Sequence, residues 1–274
     1  MSFSIGATTY AENSADEGTI TGAKPSGTQA GDLLVAQIVV NGSAGDSTNI
    51  STLSGWTQIQ KTIDANTPCM GTYYKVAGAS EPSDYTWTIT NPSNTSLINI
   101  TRIIGASTTA PLITSSAQFN NTASTTATGA TITPTTANSL LLFYVGTRAA
   151  VSAYAIATSN PTWTEQFDTS PIGGAGGIMG ALATATRPET TATGAATATI
   201  ADTVRSAVHM IAILVNPDPT VSDTVVSSEN VSALGTYITS NTDTVVTSDS
   251  LTSLLERVWT NLTKSVSTWL NQDK

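Results

Sequence analysis

The apolar positions of this chain fall in short bursts, and through residue 217 none of them keeps helical spacing. Leu33-Leu34-Val35-Ala36-Gln37-Ile38-Val39-Val40 is apolar on both faces and ends in β-branched side chains. So short a run, opened by Gly31-Asp32 and closed by Asn41-Gly42, fits a strand covered on both sides better than a helix. Trp56 opens the next expected strand, and Tyr73-Tyr74-Lys75-Val76 continues the series. In Tyr85-Thr86-Trp87-Thr88-Ile89-Thr90 the apolar side chains share one face and the threonines the other. Ile98 to Ile104 closes the set before Gly105. Many short strands punctuated by Gly, Pro, Asn and Ser predict an all-β fold, a sandwich or jelly roll.

The pattern then returns. Leu140-Leu141-Leu142-Phe143-Tyr144-Val145 follows Leu33 by 140 − 33 = 107 residues, and Trp163-Thr164 follows Trp56-Thr57 by the same interval. Thr128-Gly129-Ala130 answers Thr21-Gly22-Ala23 at that shift. Further on the copies drift: Arg187-Pro188-Glu189 is matched to Glu81-Pro82-Ser83, Ala196 to Ile200 to Tyr85 to Ile89, and Ala207 to Val215 to Ile98 to Ile104. Two tandem, internally duplicated, jelly-roll-like sandwiches are expected, over residues 1–108 and 109–217. The expected repeat core is Leu33, Val35, Trp56, Tyr85 and Trp87, with Leu140, Leu142 and Trp163 in the second copy.

Residues 218–274 form an expected C-terminal extension. Asp223-Thr224-Val225-Val226 recurs as Asp243-Thr244-Val245-Val246, 20 residues later (243 − 223). The second copy runs into Leu251, Leu254, Leu255, Val258, Trp259, Leu262, Val266, Trp269 and Leu270, which keep helical spacing. The spacing predicts an amphipathic helix over about 249–271, with Ser248, Asp249 or Ser250 as N-cap. A helix of that length with a Leu/Trp stripe is not stable alone. It is expected to dock on its own chain, to self-associate, or to anchor the protein to a larger assembly.

Composition reinforces the β reading: only 11% of residues are charged, and Thr, Ser, Asn and Gly supply the polarity. With 10 Lys and Arg against 19 Asp and Glu, the net charge of −9 argues against nucleic-acid binding and anionic membranes. No apolar run reaches the ~20 residues needed to span a bilayer, and Met1 to Ile5 lacks the look of a secretion signal. The single Cys69 allows no internal disulfide and is expected to be buried. The single His209 lies in an apolar strand, so a hydrogen-bonded core role is expected rather than general-base catalysis. One His and one Cys do not make a common zinc site. Gly173-Gly174-Ala175-Gly176-Gly177 has no Gly-Lys-Ser/Thr sequel and reads as a loop. No catalytic residue, cofactor site or metal site is assigned; distant carboxylates acting as a glycosidase pair are a minor alternative.

Gly-Asp-Leu-Leu-Val-Ala at 31–36, Gly-Trp-Thr at 55–57, Tyr-Tyr-Lys-Val-Ala at 73–77 and Tyr-Thr-Trp at 85–87 resemble β-sandwich virion proteins of tailed bacteriophages and their prophage relatives. The Asp-Thr-Val-Val-Ser-Ser-Glu-Asn-Val-Ser stretch at 223–232 is similar to repeats near the ends of such proteins. The resemblance implies a non-enzymatic virion protein: a capsid decoration, head-fibre or tail-associated component, homo-oligomeric and partnered by other capsid or tail proteins. The second copy has Asn138-Ser139 in place of Gly-Asp, so that motif is read as a turn preference. The competing expectation is a receptor- or glycan-binding module that meets a host-surface glycan through Tyr10, Tyr154 and Trp163.

Overall fold

Leu33–Val40 is strand β3, and all of its residues are buried. It is the middle strand of a five-stranded antiparallel sheet in the order β1 (Ser4–Asn13), β8 (Ser96–Ile104), β3, β6 (Cys69–Val76), β5 (Thr57–Thr62). A second sheet runs β11 (Tyr154–Ile156), β14 (Ala196–Ile213), β10 (Ser139–Arg148), β13 (Ile178–Arg187), β12 (Thr164–Asp168), with β9 (Leu112–Gly129) also paired to β14. A small sheet joins β2 (Thr19–Ala23), β7 (Asp84–Thr90) and β4 (Asn49–Ile50). This computed structural model describes residues 3–13, 17–41, 49–63, 68–90, 95–148, 154–156, 161–169 and 177–216. The 20-residue repeat and the helix from Leu251 to Leu270 lie outside the described residues.

The strand pairing of the two halves keeps fixed offsets. Leu33 opposes Val76 and Ile103, and Leu140 opposes Thr186 and Ile213 (140 − 33 = 107; 186 − 76 and 213 − 103 = 110). Even the irregularities coincide. β5 bulges between Gln58 and Gln60, and β12 bulges between Glu165 and Phe167, 107 residues on. Gly31 has φ 89° and Asn138, 107 residues on, has φ 57°. The Gly-Asp and Asn-Ser pairs thus make the same left-handed turn, which only Gly and a few residues such as Asn adopt readily.

Two details correct the sequence alignment. Arg187 stands opposite Ser139 as the last ladder position of β13, so its counterpart is Ala77, hydrogen-bonded to Asp32, and not Glu81. Ala196 to Ile200 and Ala207 to Ile213 are one continuous 18-residue strand, β14, where the first half uses the separate β7 and β8. Asn91-Pro92 lies between β7 and β8, and proline cannot donate to a ladder. Ala201-Asp202-Thr203 has no proline, and register shifts around Val204 break the ladder without ending the strand.

The layers follow from alternation. Leu34, Ala36, Ile38 and Val40 face the small sheet, meeting Ile20, Tyr85, Trp87 and Ile89, with Trp56 among them. Leu33, Val35 and Val39 face the other way, onto Leu140, Leu142, Tyr144 and Leu182 of the second sheet. That sheet's far face carries Leu141, Phe143 and Val145, covered by Ala127, Ala196, Ala198 and Ile200 from the ends of β9 and β14. Each half therefore has its own core, and a third cluster joins them. The expected boundary at 108/109 does not separate independent bodies: Met1–Pro217 is one compact unit. Each buried Leu, Val or Ile in these clusters contributes about 1.5–3 kcal/mol of transfer free energy.

Where the first half uses Tyr85 and Trp87, the second uses Ala196 and Ala198. Volume is restored from the facing sheet, where Phe143 occupies the place of Ala36 and tilts against Trp163 at 5.6 Å. Of the expected repeat core, Leu33, Val35, Trp56, Tyr85, Trp87, Leu140 and Leu142 are buried, and Trp163 is half-buried.

Candidate functional site

Among the described residues, four places gather most of the groups able to do chemistry. The first is the seam between the halves. His209 on β14 is fully buried, with Nε2 2.9 Å from Thr62 Oγ1 and Nδ1 3.0 Å from Thr72 Oγ1. Burial lowers its pKa to about 3, so the ring is neutral, and each nitrogen faces a hydroxyl. Beside it, Gln37 Nε2 donates to Val145 O at 2.8 Å, and Asn99 Nδ2 donates to Gln37 Oε1 at 3.3 Å. These contacts fix the register of one half on the other, as buried polar groups must be partnered. They leave no substrate access, and His209 is structural here.

Gln37 fits because the facing sheet has a hollow. Gly146 and Gly180 are direct cross-strand partners on β10 and β13. A Cβ on Gly180 would come within 2.9 Å of Gln37 Oε1, and one on Gly146 within 2.9 Å of Val39 Cγ2 and 3.1 Å of Met70 Sδ. In the first half the same ladder positions are Val39 and Met70, themselves a cross-strand pair. Two large side chains of one half thus fill the space that two glycines leave in the other.

The second place is the Asp32 turn. Asp32 Oδ2 accepts from Gln29 N at 2.7 Å and pairs with Arg102 Nε at 2.6 Å, joining the β2–β3 connection to β8. The third is Glu81. Its carboxylate accepts from Gly78 N at 2.7 Å and Tyr85 OH at 2.8 Å and pairs with Lys75 at 2.8 Å. Although partial burial raises its pKa, the hydrogen bonds from Lys75, Gly78 and Tyr85 outweigh it and the net shift is downward. Both carboxylates clamp loops. On β12, Glu165 is shifted upward, first by burial and then by the charge of Asp168. Cys69 is buried and unbridged.

The fourth place is an open groove of about 650 Å³ between the start of β1 and the edge formed by β12 and the end of β13. Its wall carries Thr164, Gln166, Thr184 and Thr186, with Phe3 and Pro161 as apolar surface. Gln166 Nε2 donates to Thr184 Oγ1 at 2.8 Å. Arg187, more than nine-tenths buried, is anchored by Nη2 to Thr191 Oγ1 and Ala192 O, both at 2.9 Å. Its Nε lies 3.3 Å from Glu189 Oε2 without making a hydrogen bond.

The aromatic residues expected to meet a glycan do not form a platform. Tyr154 is buried, and Trp163 packs inward on Phe143. Tyr10 is exposed, at 43%, and its hydroxyl donates to Glu12. The groove was not singled out from the sequence, because its threonines look like ordinary strand residues. Only the strand pairing aligns them with Tyr74 and Val76. Among the described residues, no group of three or more His, Cys, Asp or Glu is placed to hold a metal ion, and no helix is long and apolar enough to cross a membrane. No family model matches the chain, and neither a curated protein nor a solved structure matches it.

Proposed function

We propose that this chain is a non-enzymatic structural protein of a bacteriophage particle, built from a duplicated sandwich unit. In this reading it is a capsid decoration, head-fibre or tail-associated component, and residues 218–274 hold it to copies of itself or to the particle. The observation that supports the reading best is the use to which the polar groups are put. His209 bridges two strands of the other half, Asp32 pairs with Arg102, and Glu81 with Lys75. Groups that an enzyme would present to a substrate instead hold strands and loops in register. The matching pairing offsets of 107 and 110 support duplication of the unit. The resemblance of the 31–36, 55–57, 73–77 and 85–87 segments to virion proteins supplies the particle.

Light scattering on the full chain and on a chain lacking 248–274 tests this reading, together with cosedimentation on particles. The full chain is expected to be oligomeric or particle-bound, and the shortened one to lose that property. A full chain that is strictly monomeric, with a deletion that alters neither particle association nor stability, would sink the proposal.

A further inference from the structure

The seam between the halves has two corresponding flanks, and they differ. On one, β5 of the first half meets β9 of the second, and Gln60 Nε2 donates to Ser115 Oγ at 2.9 Å across the junction. Tyr74 and Val76 of β6 pack against the shared core. On the other flank, β12 of the second half and β1 of the first border the groove. There the ladder positions of Tyr74 and Val76 are held by Thr184 and Thr186 (184 − 74 and 186 − 76, both 110). Replacing an aromatic ring and an isopropyl group by two threonines removes filling atoms and puts hydroxyls on the wall. One flank is filled by Tyr74 and Val76; its counterpart is an open groove.

We propose that this groove is a binding site for a neutral oligosaccharide. Its volume, about 650 Å³, falls within the range of small-ligand sites. A sugar ring shows hydroxyls at its edge and an apolar C–H face. The groove matches both, with the hydroxyls of Thr164, Thr184 and Thr186 and the carboxamide of Gln166 beside the apolar Phe3 and Pro161. Gln166 and Thr184 are held together at 2.8 Å, so the donors and acceptors they present are in place before a ligand arrives. Arg187, also at the groove, is held in place by Thr191 and Ala192. Glu189, paired with Arg187 at 3.3 Å, is the charged group beside it. Glu189, whose side chain is 55% exposed, also sets the charge preference. A carboxylate at the rim of a protein of net charge −9 repels acidic sugars. The site is independent of a structural role on a particle, and one chain can serve both.

The experiment is calorimetric titration of the full chain with short neutral oligosaccharides: malto-, cello-, laminari-, manno- and chito-oligomers, with sialyllactose as the acidic comparison. At least one neutral sugar is expected to bind with Kd at or below about 1 mM. Thr184→Tyr with Thr186→Val installs the residues of the filled flank and is expected to weaken binding by at least about tenfold, with the thermal midpoint retained. Gln166→Ala, at an edge strand, is expected to weaken the same sugar. If the filled variant does not fold, Gln166→Ala decides alone. The proposal is overturned if no neutral sugar in the set binds, if sialyllactose binds more tightly than all of them, or if binding survives in the folded variants.

Discussion

Acidification should destabilise this protein through His209. The ring is fully buried and burial alone lowers its pKa, to about 3 against an ordinary 6.5. The unfolded chain takes up a proton below pH 6.5, whereas the folded chain declines it until about pH 3. Stability from this group is therefore complete above pH 6.5 and is lost as the pH falls through that window. Each pH unit costs about 1.4 kcal/mol, so the step from pH 6.5 to 5 costs about 2 kcal/mol. The assay is urea unfolding followed by tryptophan fluorescence at pH 7.5 and pH 5, on the natural chain and on His209→Asn. Asparagine is the residue at the corresponding position of the first half, Asn99 (209 − 99 = 110), so the substitution is one the architecture already carries. The upward shift of Glu165 acts in the opposite direction but is common to both proteins and cancels in the comparison. The variant is expected to lose about 2 kcal/mol less than the natural chain between the two pH values. Two profiles parallel to within about 0.5 kcal/mol would refute the assignment of a neutral, structurally trapped imidazole.

At the glycine hollow, Gly146→Ala places a methyl 2.9 Å from Val39 Cγ2 and should destabilise the fold by about 1–3 kcal/mol. Combined with Val39→Ala the methyl gains room, so chemical denaturation of the double variant should reveal a favourable coupling of about 0.5 kcal/mol or more, and strict additivity would contradict the packing described. At the Asp32 turn, Asp32→Ala leaves the mostly buried Arg102 without its 2.6 Å partner and should cost about 3–5 kcal/mol in a thermal melt. Glu189→Gln, which loosens a pair whose carboxylate is half exposed, should cost about 0–1 kcal/mol, and equal losses in the two variants would contradict the difference in burial.

The parts of the fold legible in the sequence are those in which one physical rule acts alone. Leu33 to Val40 reads as a doubly covered strand because nothing polar but Gln37 interrupts it, and Tyr85 to Thr90 reads as half-buried because its period is two. β9 was not legible, since Leu112 to Gly129 is mostly Thr, Ser, Asn and Ala with only part of its surface buried. β1, from Ser4 to Asn13, hid for the same reason. The continuity of β14 was obscured by Asp202, which looks like a turn residue and is an exposed position on a bent strand. The shared core was invisible because Leu33 and Leu140 carry the same pattern whether they face separate interiors or each other. The groove escaped notice because it is defined by two missing side chains. An offset of 107 aligns the first strands of each half, but β6 and β13 correspond at 110, and only at that offset does Thr184 stand in for Tyr74.

The pairing of Val39 and Met70 with Gly146 and Gly180 has a consequence for how copies of this chain can exchange parts. If two first halves met face to face, bulk would meet bulk. If two second halves met, glycine would face glycine across a void. Only unlike halves fit, so like-with-like association through this face is discouraged from both directions. The fit does not record whether the two halves were translated on one chain. An exchanged dimer, in which each first half is seated on its neighbour's second half, would reproduce every contact of the seam. The seam thus dictates which surfaces meet and is indifferent to the copy from which each one comes.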